Sequence, residues 1–230
     1  MLFRSVTNLA KMSTEAIAAL TTAQVRALTT GSEGQVAALT TDQVAGLKTA
    51  QVAALKTEQI ASLETQDLVK LTSAQIKALT TDQIRALTTS GDVIQVSALL
   101  SSQLNAMTSA QVAALSNAQA TALTSSQAAN LGTLQAASLT TGAIAALDVA
   151  DVAAMSTAAV AALSTNQIRA LTTGQNGQVA GLTTAQVSNL KTAQVAALTT
   201  AQVKVLESAD LVKMTTAQLN ALTTEQVQAL

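Results

Sequence analysis

Apolar positions along this chain recur every eight residues from Met12 to Ala229, in a phrase close to L-T-T-A-Q-V-A-A. Numbered from its first residue, the octad has Leu or Met at position 1 in all 26 copies. Position 6 is Val, Ile or Leu in 23 copies, with Ala120, Ala128 and Ala136 in the other three. Position 5 is Gln in 20 copies and Asp in three (Asp67, Asp151, Asp210), while positions 2 and 3 are mostly Thr or Ser. A fixed short period marks an array or solenoid. One continuous helix does not fit, because eight residues at about 100° each rotate the Leu stripe by about 80° per octad, leaving no partner able to bury it.

A short helix restarted in every octad accounts for each position. Thr at position 2 and Gln at position 5 form S/T-x-x-Q, the capping box in which each side chain satisfies the other's backbone N–H. Leu at position 1 and Val at position 6 then form the hydrophobic staple that fixes how the chain enters the helix. The Ala pair at positions 7 and 8 supplies helix propensity. Charge placement agrees: Glu15, Asp42, Glu58, Asp82 and Glu225 stand at position 4, and Arg26, Lys77, Arg85, Arg169 and Lys204 at position 7. Acid at the start and base at the end suit the helix dipole. Helices this short are not stable alone, so stacking must hold the array together. The spacing therefore predicts an all-α solenoid, coiled as a superhelix around a narrow Leu/Val core. The alternative is a β-solenoid, since Thr and Val favour strands and eight residues could form one side of a coil.

Three octads carry insertions, at residues 31–34, 90–94 and 174–177, read as surface loops spliced into helix starts. In the first two a capping residue still precedes the Gln by three, Ser32 before Gln35 and Asp92 before Gln95; the third has none. The Gly pairs Gly31/Gly34 and Gly174/Gly177 suggest turns with positive φ. The inserted octads begin at Leu28, Leu87 and Leu171, which are 7 and 10 octads apart, a spacing that hints at three octads per coil. Leu28–Leu87 also aligns with Leu171–Leu230 at an offset of 143 residues, as a duplicated block would. The stretch Leu115–Ser138 holds the three Ala at position 6 and is expected to have the thinnest core and lowest local stability. Residues 1–11 read as an amphipathic lid in which Leu2, Phe3, Val6 and Leu9 cover the first repeat, with residues 12–230 forming a single array. The chain stops on the first residue of a further octad, which suggests a fragment of a longer array or an end that stacks on another copy.

Composition narrows the chemistry. With no His or Cys, the Ser-His and Cys-His constellations, disulfides and zinc-thiolate sites are all excluded, and no cofactor or metal is expected. A net charge of −1 with no basic stripe argues against nucleic-acid binding. Thr and Gln break every window long enough to span a membrane, and the first residues lack a signal peptide's apolar stretch. Asp67, Asp151 and Asp210 form i,i+3 acid pairs with Glu64, Asp148 and Glu207, which makes a weak calcium site conceivable, but Lys70 and Lys213 are the favoured charge partners of Asp67 and Asp210. The Gln ladder could bind polysaccharide or ice, although capping explains its register. The second Thr of each pair could form an outward hydroxyl row.

The phrases L-T-T-D-Q-V-A-G and L-T-T-E-Q-V-Q-A resemble the capped helix start of TAL-effector repeats, without their 34-residue period or base-reading loop, so DNA recognition is not implied. Nearly the whole chain resembles L-T-T-x-Q-V-x-A-L octapeptide arrays of large low-complexity bacterial proteins, which are often surface or adhesin-like. That resemblance implies a non-enzymatic spacer or adhesive segment at the cell surface or outside the cell, and the uncapped apolar ends of the solenoid suggest end-to-end self-association. The alternative function is ligand binding through a regular Thr face, with ice as the most specific candidate.

Overall fold

The computed structural model describes residues 6–31, 33–91, 94–174 and 176–230. Among them the chain forms 25 α-helices of four to six residues and no strand, so the β-solenoid is set aside. The helices begin where the capping boxes place them. Thr40 Oγ1 accepts from the Gln43 N–H while Gln43 Oε1 accepts from the Thr40 N–H, and this reciprocal pair recurs at Thr80/Gln83, Thr108/Gln111 and Thr223/Gln226. Where position 2 is Lys or Leu, as at Lys48, Lys56 and Leu100, the Gln half of the box remains.

The backbone divides into two compact units, Met1–Ala114 and Leu115–Leu230. Each is an all-α solenoid. In both, a helix packs on the helix three octads further along: Thr49–Ala54 on Ser73–Ala78 in the first unit, Asn117–Thr121 on Thr141–Ala146 in the second. The insert spacing had pointed to the same number. The interior is aliphatic, with Val44, Val52, Ile60, Ile76 and Ile84 of position 6 fully buried and the position 1 leucines between Leu28 and Leu206 nearly so. A buried Leu or Val contributes roughly 1.5–3 kcal/mol of transfer free energy, and here each has its own octad to hold in place.

The insertions leave the helix start intact. Across residues 31–34 the cap of Gln35 is Thr29, and across 90–94 the cap of Gln95 is Thr88. Thr172 likewise caps Gln178, in the insert that seemed to lack a capping residue. This corrects the expected roles of Ser32 and Asp92, both of which lie outside the described residues. The Thr at position 2 keeps its partner across each insertion; Val36 N–H still donates to Thr29 O at 3.1 Å, where an uninterrupted octad has Val44 N–H on Thr40 O. Gly31 and Gly174 take positive φ (103° and 109°), but their companions do not. Gly34 and Gly177 are required for a different reason, since a Cβ on either would come within 2.5 Å of the carbonyl carbon of Thr30 or Thr173.

Of the N-terminal segment, Leu2 and Phe3 lie outside the described residues. Val6–Ala10 is a helix, with Leu9 fully buried and in the place of a sixth-position residue.

The glutamine ladder as candidate functional site

The fifth-position side chain is the polar feature that the fold places most consistently. Of the 20 glutamines at this position all but Gln24 are buried. Capping uses only Oε1. The amide nitrogen points the other way and donates to two main-chain carbonyls, those of the position 6 residue four octads earlier and of the Leu or Met that follows it. Gln83 Nε2 donates to Val52 O and Leu55 O at 2.9 and 2.7 Å, and Gln111 Nε2 to Ile76 O and Leu79 O, both at 2.7 Å. In the second unit Gln178 Nε2 meets Ile144 O and Leu147 O, both at 2.7 Å, and Gln202 Nε2 meets Ile168 O and Leu171 O at 2.8 and 2.9 Å. The ladder reaches the N-terminal helix, where Gln43 Nε2 donates to Leu9 O and Met12 O.

One side chain thus satisfies an orphan N–H at the start of its own helix and, at the end of another, the orphan carbonyl of the Leu together with the sixth-position carbonyl, which also accepts from that Leu's N–H (Leu55 N–H to Val52 O at 3.2 Å). Each such hydrogen bond contributes about 0.5–1.5 kcal/mol net, and leaving the buried Leu carbonyl unpaired costs more. No other side chain of this length does both: Glu lacks the donor, and Asn falls a methylene short. The hydrogen bonding of Gln was legible in the sequence only as far as its own cap.

The ladder gives the coil a direction. Sixth-position side chains are covered by the octads that follow, so Leu9, Ile17 and Val25 of the first coil are buried while Leu219 and Val227 of the last are 43% and 54% exposed. Gln amides reach backward instead. Gln226 is buried, but Gln24 is exposed and its Nε2 makes no bond among the described residues.

In the second unit three consecutive rungs lack Gln: Ala143, Asp151 and Ala159. They lie on helices Thr141–Ala146, Val149–Ala154 and Thr157–Ala162, which pack on helices Asn117–Thr121, Ser125–Ala129 and Thr133–Ser138. Those partners carry Ala120, Ala128 and Ala136, all fully buried. These three pairs have more extensive backbone contact than the other helix pairs described within either unit. Small side chains on both sides let the helices close in, and hydroxyls replace the amides: Thr121 Oγ1 donates to Ala146 O at 2.9 Å, and Ser125 Oγ to Asp151 Oδ1 at 2.7 Å. The thin core expected for Leu115–Ser138 is therefore a different packing, in which backbone approach replaces side-chain volume.

The three fifth-position aspartates are buried, at 1–3% exposure. Neither Lys70 nor Lys213 pairs with them; the ion pairs among the described residues are Lys56–Glu58 and Arg85–Asp82, both on the surface. Both carboxylate oxygens of Asp67, and Oδ2 of Asp151, have no hydrogen-bond partner. Burial and, second, the charge of Glu64 push Asp67 up to about 6. Asp151 is also raised, by burial first and against the hydrogen bond from Ser125. Asp210 Oδ2 accepts from the Glu207 N–H at 3.4 Å. Among the described residues no group of three or more acidic side chains converges as a metal site would require, and no helix is long and apolar enough to cross a membrane. Third-position hydroxyls are unevenly presented, with Thr49 and Thr57 exposed but Thr41, Thr65 and Thr81 half-buried.

A family model described as the ALTTAQ repeat matches residues 5–31, 32–65, 60–91, 144–178, 175–208 and 203–230. The unmatched stretch, 92–143, includes the Ala120, Ala128 and Ala136 octads. No curated protein matches the chain.

Proposed function

Because the chain belongs to the ALTTAQ repeat family, we propose that it is a non-enzymatic structural element, a spacer or adhesive segment of a bacterial surface or secreted protein. The observation that carries this reading is the glutamine ladder. The side chain best suited to bind a ligand is turned inward and engaged at both ends of its amide, as at Gln83 and Gln186. What remains outside is a surface of short hydroxyl and methyl groups with 11% charged residues in the whole chain. A unit that satisfies its own polar groups through its neighbours can be lengthened octad by octad, which suits a spacer.

The directional coil also supports end-to-end association. One face offers Leu219 and Val227 with the carbonyls beside them, and the other offers the Gln24 amide. Such faces are complementary in the head-to-tail sense that builds filaments. Sedimentation velocity should show species larger than a monomer that dissociate on dilution, and Leu219→Lys with Val227→Lys should abolish them. A monomer at about 100 μM would remove self-association from the proposal. The surface role is tested separately, by adding trypsin to intact cells of the source organism. Cleavage at exposed sites such as Lys48 and Lys56 is expected, and protection until lysis would refute it.

A further inference from the structure

The Asp67 rung is a ladder position with no donor. Gln59 serves the carbonyls of Val25 and Leu28, and Gln75 those of Val44 and Leu47. Asp67 falls between them in the octad register, at the position from which a Gln amide would serve Val36 and Leu39. An ionised carboxylate there sets acceptors against acceptors in a buried interface between coils, and neither of its oxygens has a partner. We propose that a proton closes this rung: the neutral Asp67 carboxyl donates its O–H to the Val36 or Leu39 carbonyl, and release of that proton to solvent loosens the contact between successive coils.

The surroundings favour the neutral form. Of the elements packed on Thr65–Leu68, helix Thr41–Ala45 brings Asp42 and helix Gln95–Ala98 brings no charge. The turn that carries Val36 is also uncharged, with Glu33 exposed before it. Within the octad, Glu64 is exposed and accepts from Gln66 Nε2, and Lys70 is exposed and forms no ion pair. Burial and the Glu64 carboxylate, with no cation paired to it, thus bear on this acid, in agreement with a value of about 6. That folded value lies above the unfolded one of about 3.9, so the stabilisation is complete below about pH 4 and is lost as pH rises through about 6.

The test uses the full chain and two readouts. The first is the carbon-13 carboxyl shift of Asp67 followed by NMR from pH 3 to 8; a midpoint near 6 is expected, and one at or below 4 would overturn the proposal. The second compares the unfolding equilibrium of wild type and Asp67→Asn over the same range. The variant keeps an amide donor and cannot ionise, so wild type should lose stability relative to it by about 100-fold in the equilibrium constant between pH 4 and 7.5. A pH-independent difference would refute the gate. So would a wild-type stability at pH 7.5 that depends on whether sodium, potassium or calcium is present at fixed ionic strength, because a cation would then be closing the rung.

Discussion

At the scale of single residues, the array depends on the second function of one side chain. Gln83→Ala removes an N-cap acceptor, leaves the Leu55 carbonyl without its donor and leaves the Val52 carbonyl only the Leu55 N–H, a loss of about 2–4 kcal/mol by chemical denaturation. Gln24→Ala removes a cap alone and should cost under about 1 kcal/mol, since its amide reaches no other coil. Equal effects at the two sites would mean that capping is all the glutamines do. The capping half was readable because both partners lie within four residues of each other. The other half was not, because its acceptors are main-chain carbonyls about 30 residues away, and the backbone carbonyl of one residue is no different in sequence from that of another. The same blindness misplaced the aspartates: an i,i+3 Lys looked like a partner for Asp67, but the ladder turns the carboxylate inward and leaves Lys70 in water.

At the scale of the element, local rules place nearly every helix start, and the corrections concern what neighbouring coils impose. Octads whose position 6 is Ala looked deficient when read singly. Read against the octads three further on, Ala120, Ala128 and Ala136 are matched by Ala143, Asp151 and Ala159, a paired change along the chain that could have been seen in the sequence. Restoring the consensus residue with Ala128→Val should therefore destabilise the second unit by about 1–3 kcal/mol, because the approached backbone leaves no room for it. A gain in melting temperature would show a cavity instead. The insert glycines separate two causes in the same way. Gly31→Ala meets open space but keeps a positive φ, at about 1–3 kcal/mol of strain. Gly34→Ala drives a Cβ into the Thr30 carbonyl and should cost more, with faster amide exchange at Gln35 and Val36 as its local signature.

At the scale of the whole molecule, direction is the property that individual octads do not have. Apolar side chains wait for the coil that follows and amides reach for the coil before, so stability is lent along the chain in one sense. Within the second unit, local stability should rise from the uncovered coil that holds Leu219 and Val227 towards coils covered on both sides, as resolved by amide exchange. The most direct measurement is side-chain amide exchange in D₂O, followed by NMR for each glutamine. The Nε2 protons of Gln83, Gln111, Gln186 and Gln202, bonded to two carbonyls in the buried interior, should persist for at least hours, while those of Gln24 vanish at the free-amide rate. Rapid exchange at all of them would contradict the ladder, and with it the explanation of why the coils hold together.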